Sequence, residues 1–133
     1  MQQVTRPPIA IGIIAVCVAV FLLNNISGQL ALWPLFSGYF APWQLFTYAF
    51  LHGGFNHLFF NMFALWMFGL PVDKVWGSRS FAAFSLVCIL GAGLIQLLVQ
   101  YISGSVYPTI GASGAVFGLL LAYGVMWPNA KLF

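Results

Sequence analysis

The chain has too few charges to build a surface that faces water. It holds one acid, Asp73, and four bases, Arg6, Lys74, Arg79 and Lys131; 4% of its 133 residues are charged and 62% are hydrophobic. A soluble domain carries about a quarter charged residues. The apolar stretches therefore have to face lipid, and the expected fold is an all-α, polytopic helical bundle, because a helix satisfies its own backbone where no water is present. The bases are scattered along the chain, whereas a nucleic-acid interface needs them clustered; no nucleic-acid partner is expected. Cys17 and Cys88 fall inside apolar runs and read as small packing residues, not as a disulfide or a metal site.

Four apolar runs are predicted to cross the bilayer, at about 8–23, 55–70, 80–101 and 113–127. Pro7 and Pro8 suit the start of the first, which ends at Asn24-Asn25; the second is expected to stop at Pro71 and the fourth at Pro128. The first run lacks an Ala-x-Ala site and is followed by further spans, so it reads as a retained span, not a cleaved signal. Residues 26–51 are uncharged, rich in Trp, Phe, Tyr, Pro and Gly, and broken by Pro34, Gly38 and Pro42. Aromatic rings with polar edges suit the headgroup region, and this stretch reads as a long interfacial loop. Placing the N-terminus in the cytoplasm puts Arg6, Lys74, Arg79 and Lys131 all on that side and leaves 26–51 and 102–112, which lack Lys and Arg, outside. That is the positive-inside arrangement. It makes Asp73 and Lys74 interfacial anchors on the cytoplasmic side.

Polar residues inside such spans are costly and are functional candidates. Counted at helical rise from the inner ends of their spans, His57 lies about 20 Å up, Asn61 about 13 Å and Ser113 about 21 Å. His57 and Ser113 thus share a level some 10 Å below the outer edge of a core about 30 Å thick. His57 and Asn61, four apart, share a helix face. His52 points about 140° away from His57 if the helix reaches it, and histidines five apart make a poor helical metal pair. Ser113 sits in Gly111-Ala112-Ser113-Gly114 at the head of the fourth run, where free N–H groups and the positive end of the helix would be buried. Two readings stand side by side. Gly114 and Gly118 form a small-xxx-small face that serves close packing, and His57 and Asn61 serve as interhelical hydrogen-bond partners. Alternatively, Ser113 is a nucleophile and the helix start receives an oxyanion. Phe59, Phe63 and Trp66 read as lipid-facing or packing residues, and His52 as a loop or structural histidine.

These motifs resemble the rhomboid family of intramembrane serine proteases. His52-Gly-Gly-Phe-Asn-His57-Leu-Phe-Phe-Asn61 looks like the family's second-helix His-x-x-x-Asn motif, and Gly111-Ala112-Ser113-Gly114 like its nucleophile motif. Trp43-Gln44 resembles the first-loop Trp-Arg pair, with Gln44 in place of the arginine, and 73–78 resembles the acidic, Gly-Ser turn before the third helix. The resemblance implies that residues 1–133 are four spans of a six-helix core, with 26–51 as the membrane-associated first loop. It implies Ser113 as nucleophile, with His57, Asn61 and the Ser113 backbone N–H holding the oxyanion. Gly111 and Gly114 support that turn, and Phe117 matches an aromatic position that packs on the catalytic histidine. It further implies transmembrane protein substrates cut near the outer face, a multi-pass place in the cell membrane (bacterial inner membrane), and no cofactor or metal.

The family's base is a histidine on a later span, and no histidine follows Ser113 here. A serine hydroxyl without an adjacent base is a weak nucleophile. The expectation is a fragment or truncated product, inactive alone. Two other readings are a rhomboid-like protein that binds transmembrane clients without cutting them, and a small channel or transporter subunit with His57 and Asn61 along a polar path.

Overall fold

The computed structural model describes residues 8–23 and 27–131. Arg6, Pro7 and the Asn24-Asn25 stop lie outside them. The described residues are mostly helical, and their one β feature is an isolated antiparallel bridge, Leu32 with Thr109. The elements are α1 (Ile9–Leu23), α2 (Ser27–Leu30), α3 (Gln44–Thr47) with a 3₁₀ turn at Tyr48–Phe50, α4 (Phe55–Trp76), α5 (Ser78–Ser103) and α6 (Ser113–Met126). By length and composition α4 and α5 can cross a membrane, and α1 and α6 are shorter apolar helices.

The packing inverts the soluble pattern. On α5 the buried stripe is Phe81, Ser85, Ile89, Gly93, Leu97 and Gln100, at helical spacing and including small and polar residues. Its outward residues are the bulky apolar ones, among them Val87, Leu94, Ile95 and Leu98. Small residues inside let backbones approach, as membrane helix pairs require. Gly114 of α6 lies against Ala92 and Gly118 against Cys88 and Phe84, so α6 seats on α5 through its glycines. Ala10, Cys17, Leu58, Met62, Leu65, Val72, Phe81, Val116, Leu119 and Ala122 form the shared core of α1, α4, α5 and α6.

Pro71 does not end the second apolar run. The helix passes through it to Trp76, six residues beyond the expected stop at Leu70, because Leu65–Gly69 forms a π-helical turn. That turn resets the hydrogen-bond ladder, so Pro71 sits at the start of a fresh α segment, where its missing N–H costs little. The extension carries Asp73 inward. It is fully buried and accepts the Ala10 N–H at 2.9 Å, capping α1 from the end of α4. Asp73 is therefore not an interfacial anchor; a lone acid in an apolar chain is spent on a helix end, where the positive pole offsets its desolvation. Lys74 remains exposed.

The stretch expected as a loop is internally braced. Gln44 is buried; its Oε1 accepts the Trp33 N–H at 3.2 Å, and its Nε2 donates to the carbonyls of Tyr39 at 2.9 Å and Gln29 at 3.3 Å. Thr47 Oγ1 donates to Leu30 O at 2.7 Å, and the indole N–H groups of Trp33 and Trp43 reach Gly28 O and Gln29 O. Leu35, Phe36, Tyr39, Trp43 and Phe46 form its exposed apolar rim. Gln100 of α5 ties this stretch to the segment before α6, with Nε2 within 3.3 Å of Leu32 O, Tyr107 O and the Thr109 hydroxyl.

Candidate active site

Ser113 opens α6, and the preceding residue Ala112 offers no side-chain cap. The first N–H groups of that helix have no carbonyl one turn back to bond to. The turn into it needs Gly111, whose φ is +120°; a Cβ there would stand 2.9 Å from both Cε1 and Nε2 of His57 and 3.8 Å from Ser113 Oγ. Glycine thus lets the backbone pass between the imidazole and the hydroxyl. The turn is pinned from below by two hydrogen bonds: the Gly111 N–H donates to Tyr48 O at 2.9 Å, and the Ala112 N–H donates to His52 Nε2 at 3.4 Å. Gly111 and Ala112 are buried.

α4 brings the partners. Ser113 Oγ donates to Asn61 Oδ1 at 3.3 Å, and Asn61 Nδ2 donates to the His57 carbonyl one turn back at 2.8 Å. Asn61 is buried and His57 and Ser113 are half-buried. His57 Nδ1 accepts the Gly53 N–H at 3.4 Å, which leaves its Nε2 on the side of Gly111. The structure therefore gathers Ser113, His57, Asn61 and Gly111 in one place, with Gly114 holding the helix behind them against α5. Phe117, one turn on, is 70% exposed. Among the described residues no imidazole nitrogen hydrogen-bonds Ser113 Oγ, and no group of three or more His, Cys, Asp or Glu is arranged to hold a metal.

His52 departs from its expected direction. The helix starts at Phe55, so helical geometry does not reach it; the chain bends at 53–54, and the two imidazoles lie 4.9 Å apart, centroid to centroid. His52 is buried, and burial, with His57 beside it, pushes its pKa down to about 4 while the Phe50 backbone pulls the other way.

The family model for the rhomboid domain matches residues 39–132, which include every residue of this cluster. The chain belongs to the rhomboid family. It is 42% identical over 93 residues to the rhomboid protease GluP of Bacillus subtilis, covering 68% of this chain and 17% of that protein. It is 31% identical over 126 residues to the rhomboid protease GlpG of Klebsiella pneumoniae, covering 90% and 43%, and 35% identical over 86 residues to the mitochondrial rhomboid protein 1 of Saccharomyces cerevisiae, covering 63% and 25%. The chain spans less than half the length of these relatives. Family and apolar helices together make it a membrane protein. Within this rhomboid framework Tyr48 and His52 are the residues that sequence reasoning undervalued. Tyr48 holds Gly111 through its carbonyl, and its hydroxyl donates to Ile89 O at 2.6 Å. Nothing in its sequence context marked it; for His52 the signal was a second imidazole five residues from the first.

Proposed function

We propose that these residues form four of the spans of a rhomboid intramembrane serine endopeptidase, with Ser113 as its nucleophile. The supporting observation is the Ser113 hydroxyl at an uncapped helix start, bonded to Asn61 and separated from His57 only by Gly111. In the first half-reaction Ser113 Oγ attacks the carbonyl carbon of a peptide bond in a transmembrane segment. Its proton passes to a base, the carbon–oxygen bond forms, and the carbonyl oxygen becomes an oxyanion. The Ser113 N–H, His57 Nε2–H and Asn61 Nδ2–H stabilise that oxyanion, a contribution worth about 3–4 kcal/mol per donor in comparable sites. Asn61 now spends Nδ2 on the His57 carbonyl and turns Oδ1 to Ser113, so its amide has to reorient as the oxyanion forms. Collapse breaks the carbon–nitrogen bond as the base returns its proton to the leaving amine; water, deprotonated by the same base, then attacks the acyl carbon, and the Ser113 Oγ–carbon bond breaks with the proton returned to Oγ. No imidazole among the described residues hydrogen-bonds the Ser113 hydroxyl, so in this reading the base is supplied by another histidine of the protease.

In this reading Gly111 and Gly114 support the nucleophile turn and Phe117 packs on the dyad histidine. The N-terminus and the basic residues face the cytoplasm of a bacterial cell, the site opens near the outer face of the inner membrane, and neither cofactor nor metal takes part. One observation favours a rival. The Ser113 hydroxyl donates to an amide oxygen and to no imidazole, as in a rhomboid-like protein that binds transmembrane clients without cutting them. A fluorophosphonate probe on the complete gene product decides: labelling that Ser113→Ala removes supports the protease, and clients that co-purify without any labelling support the rival.

A further inference from the structure

Every backbone N–H at the head of α6 is a potential donor to the reacting oxygen, yet two are already taken. Gly111 gives its N–H to Tyr48 O and Ala112 gives its N–H to His52 Nε2. The first comes from backbone, and any residue at position 48 supplies it. The second comes from a side chain whose acceptor exists in one protonation state alone: imidazolium has no lone pair to offer. We infer that His52 is a positioning residue for the nucleophile turn, its neutral imidazole accepting the Ala112 N–H and so leaving the Ser113 N–H as the first amide of the turn without an acceptor among the described residues. This rests on the reading of Ser113 as nucleophile.

The surroundings fit the role. With Nε2 accepting, the ring proton lies on Nδ1, which is buried. His52 itself is 9% exposed. The His57 ring packs against it, 4.9 Å away centroid to centroid. Both imidazoles reach the turn, one on Ala112 and the other beside Gly111. Two rings five residues apart thus divide the work: His57 borders the hydroxyl, and His52 fixes the backbone that carries it.

The test has one arm independent of catalysis and one that depends on it. In detergent-solubilised protein, ¹⁵N NMR is expected to show His52 as the Nδ1–H tautomer, neutral through pH 6. The Ala112 amide is expected to be slow to exchange in the wild type and in His52→Gln, whose side-chain oxygen replaces the acceptor, and at least tenfold faster in His52→Leu. In the complete gene product the rate of Ser113 labelling by a fluorophosphonate is expected to fall at least tenfold in His52→Leu and to recover most of that in His52→Gln. If His52→Leu fails to fold, the wild-type tautomer and the Gln variant still decide. A His52 that titrates near 6.5 or carries its proton on Nε2 overturns the inference, as does an Ala112 amide indifferent to residue 52. A wild type that never labels overturns the protease reading instead, and leaves the tautomer and exchange results to stand or fall by themselves.

Discussion

The buried starts of α1 and α6 are filled in opposite ways. At α1 the chain's one acid, Asp73, accepts the Ala10 N–H, with both residues fully buried. At α6 no side chain caps the helix, two amides of the turn are tied off by Tyr48 and His52, and a hydroxyl stands at the opening. Both ends carry the same partial positive charge, equivalent to roughly half a proton. An acid side chain fixed at one end serves architecture; in the proposed reading, the room left at the other serves a transient oxyanion. In an apolar chain with so few charges, where the single carboxylate goes is therefore informative twice, for the end it fills and for the end it leaves open.

The sharpest break of this comparison is Ser113→Ala. It is expected to drop probe labelling and substrate cleavage by the complete gene product roughly 10⁴-fold or more, the scale on which lone nucleophile deletions act. Its thermal midpoint should stay close to wild type, because the hydroxyl's hydrogen bond to Asn61 is worth only about 1 kcal/mol. Equal losses of stability and labelling would make Ser113 a packing residue.

Asp73→Ala should do the reverse. It strands a buried N–H at the start of α1, at a cost of about 1–3 kcal/mol. Stability in denaturant or detergent titration falls, while the labelling rate per folded molecule holds. Asp73→Asn keeps an acceptor for Ala10 and is expected to lose less. A change in labelling per folded molecule would show the two helix starts to be coupled.

Much of this site was legible before any coordinates, and what was missed has a physical cause. Helical rise counted from each span's inner end puts His57 and Ser113 at one level, and i,i+4 spacing puts Asn61 on the face of His57; both follow from regular geometry, and the structure brings the three together. Helix periodicity is silent where the backbone leaves the helix. His52 was assigned a direction by extrapolating a helix that starts only at Phe55. A proline breaks the i→i−4 ladder, which predicts a stop at Pro71, but a π turn at Leu65–Gly69 changes the ladder first. Asp73 looked like a surface anchor because its sequence neighbours do not show that Ala10 waits for it. The bracing inside residues 26–51, centred on Gln44, is a set of side-chain-to-backbone bonds between residues up to 17 apart, and composition alone shows only an aromatic loop.

Glycine substitutions on α6 sharpen the contrast between its working end and its packing face. A Cβ at Gly114 would stand 2.5 Å from the Ala92 Cβ, whereas one at Gly124 meets nothing within 4 Å. Gly114→Ala should force α6 off α5 and cost about 1–3 kcal/mol, as overpacking does. Gly124→Ala should be neutral or stabilise by up to about 1 kcal/mol through helix propensity. Comparing melting midpoints of the two variants isolates packing from propensity on one helix. Equal midpoints would mean that α6 does not seat on α5 through its glycines.

The smallest effect concerns the acid side of His52. Its folded pKa of about 4 lies below the ordinary 6.5, so the fold favours the neutral ring. Above pH 6.5 both folded and unfolded chains hold it neutral, and its contribution is fully present. As pH falls from 6.5 towards 4, the unfolded chain takes up a proton that the folded chain refuses, and stability declines across that window. Below about 4 the folded imidazole is protonated too, and its acceptor for the Ala112 N–H is gone. Melting midpoints are expected to drop between pH 7 and pH 4.5 by a few degrees, and His52→Gln, which has no proton to gain, is expected to flatten that drop. If the wild type and His52→Gln share the same slope, the acid sensitivity lies elsewhere, and the open helix start does not depend on a neutral imidazole beneath it.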